Sequence, residues 1–226
     1  MIDYIEHQKH ISDNVIIRDN VLERSLCGEY IVKILYKGSL NGMWNANIEY
    51  GHEKKPQWPI NEWVYAIAEP ETDKFISTHT SEDAEKIWNQ VCDYLKKEFD
   101  IKPKLHGAHI NAMNFGQEGM IHTDSDDGAH AFIIVFVNTD MNVYHGGEFQ
   151  TYISMDKDYE RNWDYKNSVI KYSISPKPGR IVLADAKIPH RGLTPTRFYY
   201  KTRITIAFKI TFDDKDETWK KLGWNK

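Results

Sequence analysis

Three side chains with the chemistry of metal ligands stand in a fixed order in the second half of the chain. His122 and Asp124 are two residues apart, and His190 follows the apolar run at 181–184. Alternate residues of a strand point to the same face, so His122 and Asp124 can reach one ion, and His190 can join them from another strand. Two histidines and one carboxylate on one face of a metal leave positions open for substrate and oxygen, which is typical of non-haem iron(II) sites.

A basic residue follows in the next apolar segment. Residues 200–208 alternate, with apolar side chains on one face and Lys201, Arg203 and Thr205 on the other. The guanidinium of Arg203 can bind a carboxylate by a charge-assisted fork, and the Thr205 hydroxyl can add one hydrogen bond. The pair fits the distal carboxylate of 2-oxoglutarate, whose keto-acid end would chelate the iron.

The secondary structure around these residues is predicted to consist mostly of short strands. Between residues 105 and 212, turn signals containing Gly, Pro, Asn and Asp separate β runs at 107–114, 131–138, 147–154, 169–174, 180–185 and 202–212. Regularly spaced short strands predict a jelly roll or barrel. The polar segment 155–168 is predicted to be a loop.

Flanking elements are predicted on both sides of these strands. Apolar residues at helical spacing predict a helix over 81–98, with acidic residues in its first turn. A strand and turn are expected at 14–22, a helix at 23–36, and a short helix after Phe212. The predicted fold class is therefore mostly β with flanking helices.

Composition restricts the class of protein. A chain of 226 residues suits a single all-β domain, and its net charge of -4 disfavours a nucleic-acid substrate. Cys27 and Cys92 are far apart in the sequence, which favours two reduced thiols over a disulfide framework or zinc site. The polar N-terminus lacks the apolar core of a secretory signal, and no segment is long and apolar enough for a membrane span. These features predict a cytoplasmic protein.

Taken together, these motifs resemble a known family. The runs that carry the resemblance are NAMNFGQEGMIHTD (Asn111–Asp124), GGEF (Gly146–Phe149), PKPGRIVLADAKIPH (Pro176–His190) and TRITIAF (Thr202–Phe208). In this order they resemble the 2-oxoglutarate/iron(II)-dependent oxygenase superfamily. Within that superfamily they look most similar to the prolyl-4-hydroxylase-like group, which includes small phage and bacterial enzymes.

The resemblance implies a fold and a set of site residues. The fold would be a double-stranded β-helix, a cupin-like jelly roll, in one domain over 1–226: a support region (1–104), the core (105–212) and a C-terminal tail (213–226). The metal ligands would be His122, Asp124 and His190. Together with Arg203, which would bind the co-substrate, these ligands would form the catalytic machinery.

Further residues are implied near the co-substrate. Thr205 resembles the hydroxyl that accompanies the family's co-substrate cation. Lys201 and Arg197 are alternatives to Arg203 for that cation. Relatives often place a tyrosine on the strand before the metal motif, and Asn111 or Asn114 would take its place here.

The resemblance also implies an activity. The protein would hydroxylate a C–H bond with Fe(II), 2-oxoglutarate and oxygen, with ascorbate as an additional reductant. The expected substrate is a prolyl residue in a peptide or protein, or a small amino-acid-like molecule. The loop 155–168 carries aromatic residues that either contact substrate or simply lie on the surface: Tyr159, Trp163 and Tyr165.

Two other functions remain as alternatives. A cupin-type metalloenzyme would use the triad without 2-oxoglutarate. A non-catalytic jelly-roll module, for instance one that binds carbohydrate, would use neither the triad nor Arg203. The pair of Arg203 and Thr205 after His190 favours the oxygenase over both.

Overall fold

The computed structural model describes residues 12–33, 63–68, 81–117, 119, 121–125, 128–154 and 168–224. Almost all of the predicted loop at 155–168 lies outside these residues, so the roles suggested for its aromatic side chains are untested.

Six strands form a larger antiparallel sheet. In spatial order they are β1 (Val15–Arg18), β7 (Ile181–Asp185), β4 (Ala131–Phe136), β9 (Arg203–Thr211), β3 (Lys104–Met113) and β2 (Trp63–Ala68). The two edge strands come from the N-terminal part of the chain. The central strands β4 and β7 are buried throughout, and their sequences AFIIVF and IVLAD are correspondingly apolar.

Three further strands form a smaller antiparallel sheet in the order β6 (Ser168–Ile174), β5 (Phe149–Ser154) and β8 (His190–Gly192). The chain passes repeatedly between the two sheets, from β4 to β5, from β6 to β7, and from β7 to β8. The result is the two-sheet architecture of a jelly roll, as predicted from the sequence.

Each face of the larger sheet contributes to a separate apolar core. On the outer face, Ile204, Ile206 and Phe208 pack with the helix α2 (Ser81–Phe99), and the rings of Trp88 and Phe208 lie 5.1 Å apart. The inner core lies between the two sheets and includes Phe132, Ile134, Phe136, Phe149, Ile174, Val182, Ala184, Ile188 and Ala207. The strict alternation along β9 therefore leaves its other face for the candidate site.

The helices agree with the sequence periodicity. α2 matches the prediction for 81–98, and α1 (Arg24–Lys33) matches the described part of the helix predicted at 23–36. The C-terminal helix α3 (Lys215–Leu222) begins after Asp214, whose carboxylate accepts a hydrogen bond from the Glu217 N–H, and ends at Gly223 with φ 70°. Among the described residues, no helix is both long and apolar enough to cross a membrane.

The strand predictions were correct for seven of the nine strands in the two sheets and missed two. The two missed strands are β2 and β8. β8 has only three residues, which is too short to show alternation. The assumption that His122 and Asp124 lie on one strand was wrong. His122 forms an isolated bridge with His190, and the chain bends at Asp124.

Candidate metal and co-substrate site

The three predicted metal ligands meet in the structure. One side-chain ligand atom from each of His122, Asp124 and His190 lies within 4.8 Å of the other two. The His122 N–H donates to the His190 carbonyl at 3.0 Å, and the His190 N–H donates to the His122 carbonyl at 2.9 Å. The Asp124 N–H donates to the carbonyl of Ala186, just after β7, at 2.9 Å. Backbone hydrogen bonds to two different parts of the chain thus hold the triad together.

His190 is held in one orientation by a packed aromatic environment. Its ring lies 4.2 Å from Phe132, 5.3 Å from Phe149 and 4.4 Å from His122, measured between centroids. Burial lowers the pKa of the imidazole to about 3, so the ring is neutral near pH 7. Its Nδ1 lies 2.9 Å from the Ile188 carbonyl and must donate to it, which leaves the lone pair on Nε2 facing the triad.

Asp124 is buried and ionised. Burial by itself would raise the pKa of its carboxyl, but two cations outweigh this effect and hold the pKa below its usual range: His190, which is protonated at the low pH where Asp124 would titrate, and Lys209. Its Oδ1 lies 3.0 Å from Lys209 Nζ, whereas Oδ2 lies 3.5 Å from His190 Nε2. Since His190 is neutral, the second distance is a contact between neighbouring ligand atoms. Lys209 supplies the charge that balances the carboxylate.

This donor set fits an iron(II) ion. Two imidazole nitrogens and one carboxylate oxygen, with their ligand atoms already clustered, form the facial triad that suits non-haem iron. A metal here would contact His122, Asp124 and His190, and the hydrogen bond from His190 Nδ1 to Ile188 would fix that ligand's tautomer.

Arg203 begins β9 and is the largest fully buried side chain among the described residues. Its Nε donates to the Gly147 carbonyl at 2.8 Å, and one terminal nitrogen lies 3.4 Å from the Thr205 hydroxyl and 3.9 Å from the Met113 sulfur. The guanidinium carbon lies 5.8 Å from the centre of the Phe136 ring. Because a buried charge needs polar partners, these contacts hold the Arg203 guanidinium in one orientation.

Two glycines make room for this guanidinium. A Cβ at Gly147 would lie 3.0 Å from Arg203 Cδ, and one at Gly192 would lie 3.3 Å and 3.4 Å from the two terminal nitrogens. Gly147 also has φ +78°, which disfavours any other residue. Gly147 and Gly192 therefore leave the space that the Arg203 guanidinium occupies, which we call the glycine cradle. The guanidinium can bind one carboxylate of a ligand.

The other predicted co-substrate residues occupy different places. Asn111 pairs with Thr205 between β3 and β9, so it lies beside the hydroxyl on the same face of the sheet. Asn114 lies in the turn after β3, where its side-chain oxygen accepts a hydrogen bond from the Thr202 hydroxyl at 2.9 Å. Lys201 is exposed and paired with Asp140, and Arg197 is exposed and lies over the Phe198 ring. The structure places only Arg203 of the three candidate cations in the interior.

Several residues of the site were missed in the sequence. Lys209 occupies the same face of β9 as Arg203 and Thr205, so strand alternation could have identified it. The contact between Gly192 and Arg203 carried no comparable signal, because it depends on the approach of β8 to β9.

Comparison with known proteins supports the fold. No protein-family model and no curated protein sequence matches the chain. Among solved structures, a prolyl hydroxylase from Trichoplax adhaerens, in complex with a hypoxia-inducible-factor peptide fragment, is 14% identical with a TM-score of 0.63. That match covers 96% of this chain and 94% of the other.

Two further structures resemble the chain. A non-haem alpha-ketoglutarate-dependent carbocyclase from nogalamycin biosynthesis is 11% identical with a TM-score of 0.62, and the match covers 95% of this chain and 85% of the other. A viral collagen prolyl hydroxylase from Paramecium Bursaria Chlorella virus-1, in complex with 2OG, is 16% identical with a TM-score of 0.52. That match covers 88% of this chain and 96% of the other. The chain therefore has the double-stranded β-helix fold of the 2-oxoglutarate/iron(II) oxygenases, as the sequence resemblance predicted.

Proposed function

We propose that the protein is an iron(II)- and 2-oxoglutarate-dependent oxygenase that hydroxylates a C–H bond. One observation carries the proposal: the short strand β8 connects the triad to the buried cation. His190 would be a metal ligand, and Gly192, two residues further on the same face, packs against the guanidinium of Arg203. Two strand residues span about 6.6 Å, which is comparable with the length of a five-carbon dicarboxylate.

Each residue has a distinct role in this proposal. His122, Asp124 and His190 would hold Fe(II), and Arg203 with the Thr205 hydroxyl would bind the distal carboxylate of 2-oxoglutarate. When bound, iron and 2-oxoglutarate supply the oxidative chemistry with molecular oxygen. The protein orients the two groups, and the apolar inner core around His190 excludes water from them. The buried Arg203 favours this reaction over a cupin-type enzyme that does not use 2-oxoglutarate.

Anaerobic titration of the purified protein with Fe(II) and 2-oxoglutarate tests the reaction class. We expect the visible absorption band of the iron–2-oxoglutarate complex in the wild type and no such complex in His122→Ala or Asp124→Ala. Arg203→Ala should require far more 2-oxoglutarate, whereas its iron affinity should change little. Lys201→Ala is the matched control, because Lys201 is exposed and pairs with Asp140.

The outcomes separate the competing functions. Iron binding without the band would favour the cupin-type enzyme, and the absence of any metal binding would favour a non-catalytic module. A normal 2-oxoglutarate requirement in Arg203→Ala, together with a raised one in Lys201→Ala, would transfer the co-substrate role to Lys201.

We further propose a prolyl residue of a peptide or protein as the first substrate to test. The Trichoplax prolyl hydroxylase, which is seen with a peptide fragment, supports this choice, whereas the carbocyclase shows that the fold also accommodates other reactions. Incubation with proline-containing peptides should produce succinate and peptides heavier by one oxygen atom, detected by mass spectrometry. Succinate formation only with free amino acids or related metabolites would redirect the assignment to a small-molecule substrate.

A further inference from the structure

Asn138 lies where the hydrogen-bond ladder between β4 and β9 stops. The last backbone pair of that ladder joins Phe136 to Thr205. Continuing the same antiparallel register by two residues places Asn138 opposite Arg203. Asn138 is buried with 4% of its surface exposed, and its position is beyond the end of β4.

The side chain of Asn138 continues the ladder in place of the backbone. Its Oδ1 accepts a hydrogen bond from the Ile204 N–H at 2.6 Å, and its Nδ2 donates to the Thr202 carbonyl at 2.9 Å. A carboxamide carries the same acceptor and donor as a peptide group, so one side chain satisfies the backbone on both sides of Arg203. These partners also fix which side-chain atom of Asn138 is the oxygen and which is the nitrogen, since the Ile204 N–H needs an acceptor and the Thr202 carbonyl needs a donor.

The carboxamide of Asn138 also forms a hydrogen bond outside β9. Its Nδ2 donates a second hydrogen bond to the Tyr199 hydroxyl at 2.9 Å, and that hydroxyl donates to Asp140 Oδ1 at 2.8 Å. Burial raises the pKa of Tyr199, and the hydrogen bond to Asp140 adds to this effect, so the phenol keeps the proton that it donates. Both hydrogens of the carboxamide are therefore used.

A small shift of the Arg203 backbone would move its guanidinium against the glycine cradle. The space around the cation is narrow, because a single added Cβ at Gly192 would already lie 3.3 Å from a terminal nitrogen. We propose that Asn138 is a positioning residue that fixes the backbone of Arg203 and thereby sets the affinity for 2-oxoglutarate; this inference rests on the proposed co-substrate role of Arg203.

Asn138→Ala tests the inference with two independent measurements. In the unliganded protein, amide hydrogen exchange of Ile204 should become faster relative to neighbouring β9 amides. In the anaerobic titration with Fe(II), the dissociation constant for 2-oxoglutarate should rise by about tenfold or more, since small misplacements of a binding group have effects of this size. Iron affinity should stay at the wild-type value, because the triad is held by other hydrogen bonds.

Val137→Ala is the matched control. Val137 is buried in the outer core on the opposite face, so its truncation weakens the fold without touching the hydrogen bonds to β9. We expect wild-type 2-oxoglutarate affinity in this variant. If Asn138→Ala does not fold, Asn138→Gln takes its place, because its carboxamide is displaced by one methylene and cannot bridge the same two groups.

The results distinguish the inference from the proposed function. Faster Ile204 exchange with a weaker 2-oxoglutarate complex supports the positioning role. Unchanged 2-oxoglutarate affinity in the Asn138 variant, or an equal loss in Val137→Ala, overturns it. If the wild type itself forms no iron–2-oxoglutarate complex, the proposed function fails, and the role assigned to Asn138 fails with it, whatever the exchange of Ile204 shows.

Discussion

Gly192 shows how a single missing side chain shapes the site. An added Cβ would lie 3.3–3.4 Å from both terminal nitrogens of Arg203, closer than ordinary van der Waals contact. The guanidinium is buried and cannot move away without losing its hydrogen bond to Gly147. The identity of residue 192 therefore controls the orientation of the candidate co-substrate cation.

We accordingly expect Gly192→Ala to weaken 2-oxoglutarate binding. The expected loss is about 1 kcal/mol, or roughly fivefold in the dissociation constant, at the lower end of the cost of overpacking. Iron affinity, measured in the same titration, should be retained. Gly107→Ala is the control, since a Cβ there would have no atom within 4 Å. Equal effects of the two substitutions would contradict the role of the cradle.

Lys209 controls the charge of the triad. Its ammonium pairs with the buried Asp124 carboxylate, with Nζ 3.0 Å from Oδ1. We expect Lys209→Met to lower the free energy of unfolding of the metal-free protein by about 2–3 kcal/mol, because it leaves a buried carboxylate without its partner. Urea denaturation near pH 7 measures this.

The control for Lys209 is an exposed ion pair. Lys201→Met removes the partner of Asp140 at the surface, and the free energy of unfolding should change far less than in Lys209→Met. A loss of similar size in the two variants would show that Lys209 contributes no more than a surface charge.

Among the secondary-structure elements, the edge strand β1 is connected to the turn before β7 by a cluster of ion pairs. Asp19 follows β1, and its carboxylate binds Arg180 through both oxygens, at 2.6 Å and 3.2 Å, and Lys177 at 2.6 Å. These hydrogen bonds and charges lower the pKa of Asp19 from 3.8 to about 2. The cluster therefore stabilises the fold when the carboxylate is ionised.

The sign of this pKa shift predicts how stability depends on pH. The contribution of Asp19 is fully present above its unfolded pKa of 3.8 and is lost as the pH falls toward the folded value of about 2. At pH 7, Asp19→Asn should lower the free energy of unfolding by about 1 kcal/mol, less than the pKa shift alone implies, because the group is partly exposed. Urea denaturation at pH 7 and pH 2.5 should show the difference from wild type shrinking in acid.

Asp213→Asn provides the comparison for Asp19. Asp213 pairs with Lys104, but its side chain is 80% exposed, and its replacement should have little effect at either pH. A difference between wild type and Asp19→Asn that is independent of pH would exclude the ion pairs as its cause.

On the scale of the whole molecule, the candidate site joins parts of the chain that are otherwise separate. The triad takes ligands from the bend after β3 and from β8, and Arg203 comes from β9. A metal and 2-oxoglutarate bound there would connect both sheets in the folded state and would not bind the unfolded chain in this arrangement. Ligand binding should therefore stabilise the entire fold.

We expect Co(II), used as a redox-stable metal, to raise the melting temperature together with 2-oxoglutarate. At ligand concentrations about 100-fold above the dissociation constant the gain is about 2.7 kcal/mol, which corresponds to roughly 5–10 °C for a chain of this size. Calorimetry of wild type and Asp124→Ala measures this, and the variant should show no such increase. An equal increase in both would place metal binding elsewhere.

The local periodicities, and the side-chain chemistry that they carry, could be read from the sequence. α2 follows from apolar residues at helical spacing, and the inward face of β9 follows from alternation, because both patterns depend only on neighbours in the chain. His122, Asp124 and His190 could also be proposed as metal ligands from their types and their order. These features required no knowledge of how distant segments meet.

The contacts between distant segments became evident only in the folded structure. His122 bonds to His190 across 68 residues instead of continuing a strand, Lys209 balances Asp124, and Asn138 holds the strand that carries Arg203. Such contacts depend on strand register and on the approach of two sheets, to which local sequence patterns are insensitive. The residues that can perform chemistry were therefore readable in advance, whereas the residues that orient them became visible only in the folded molecule.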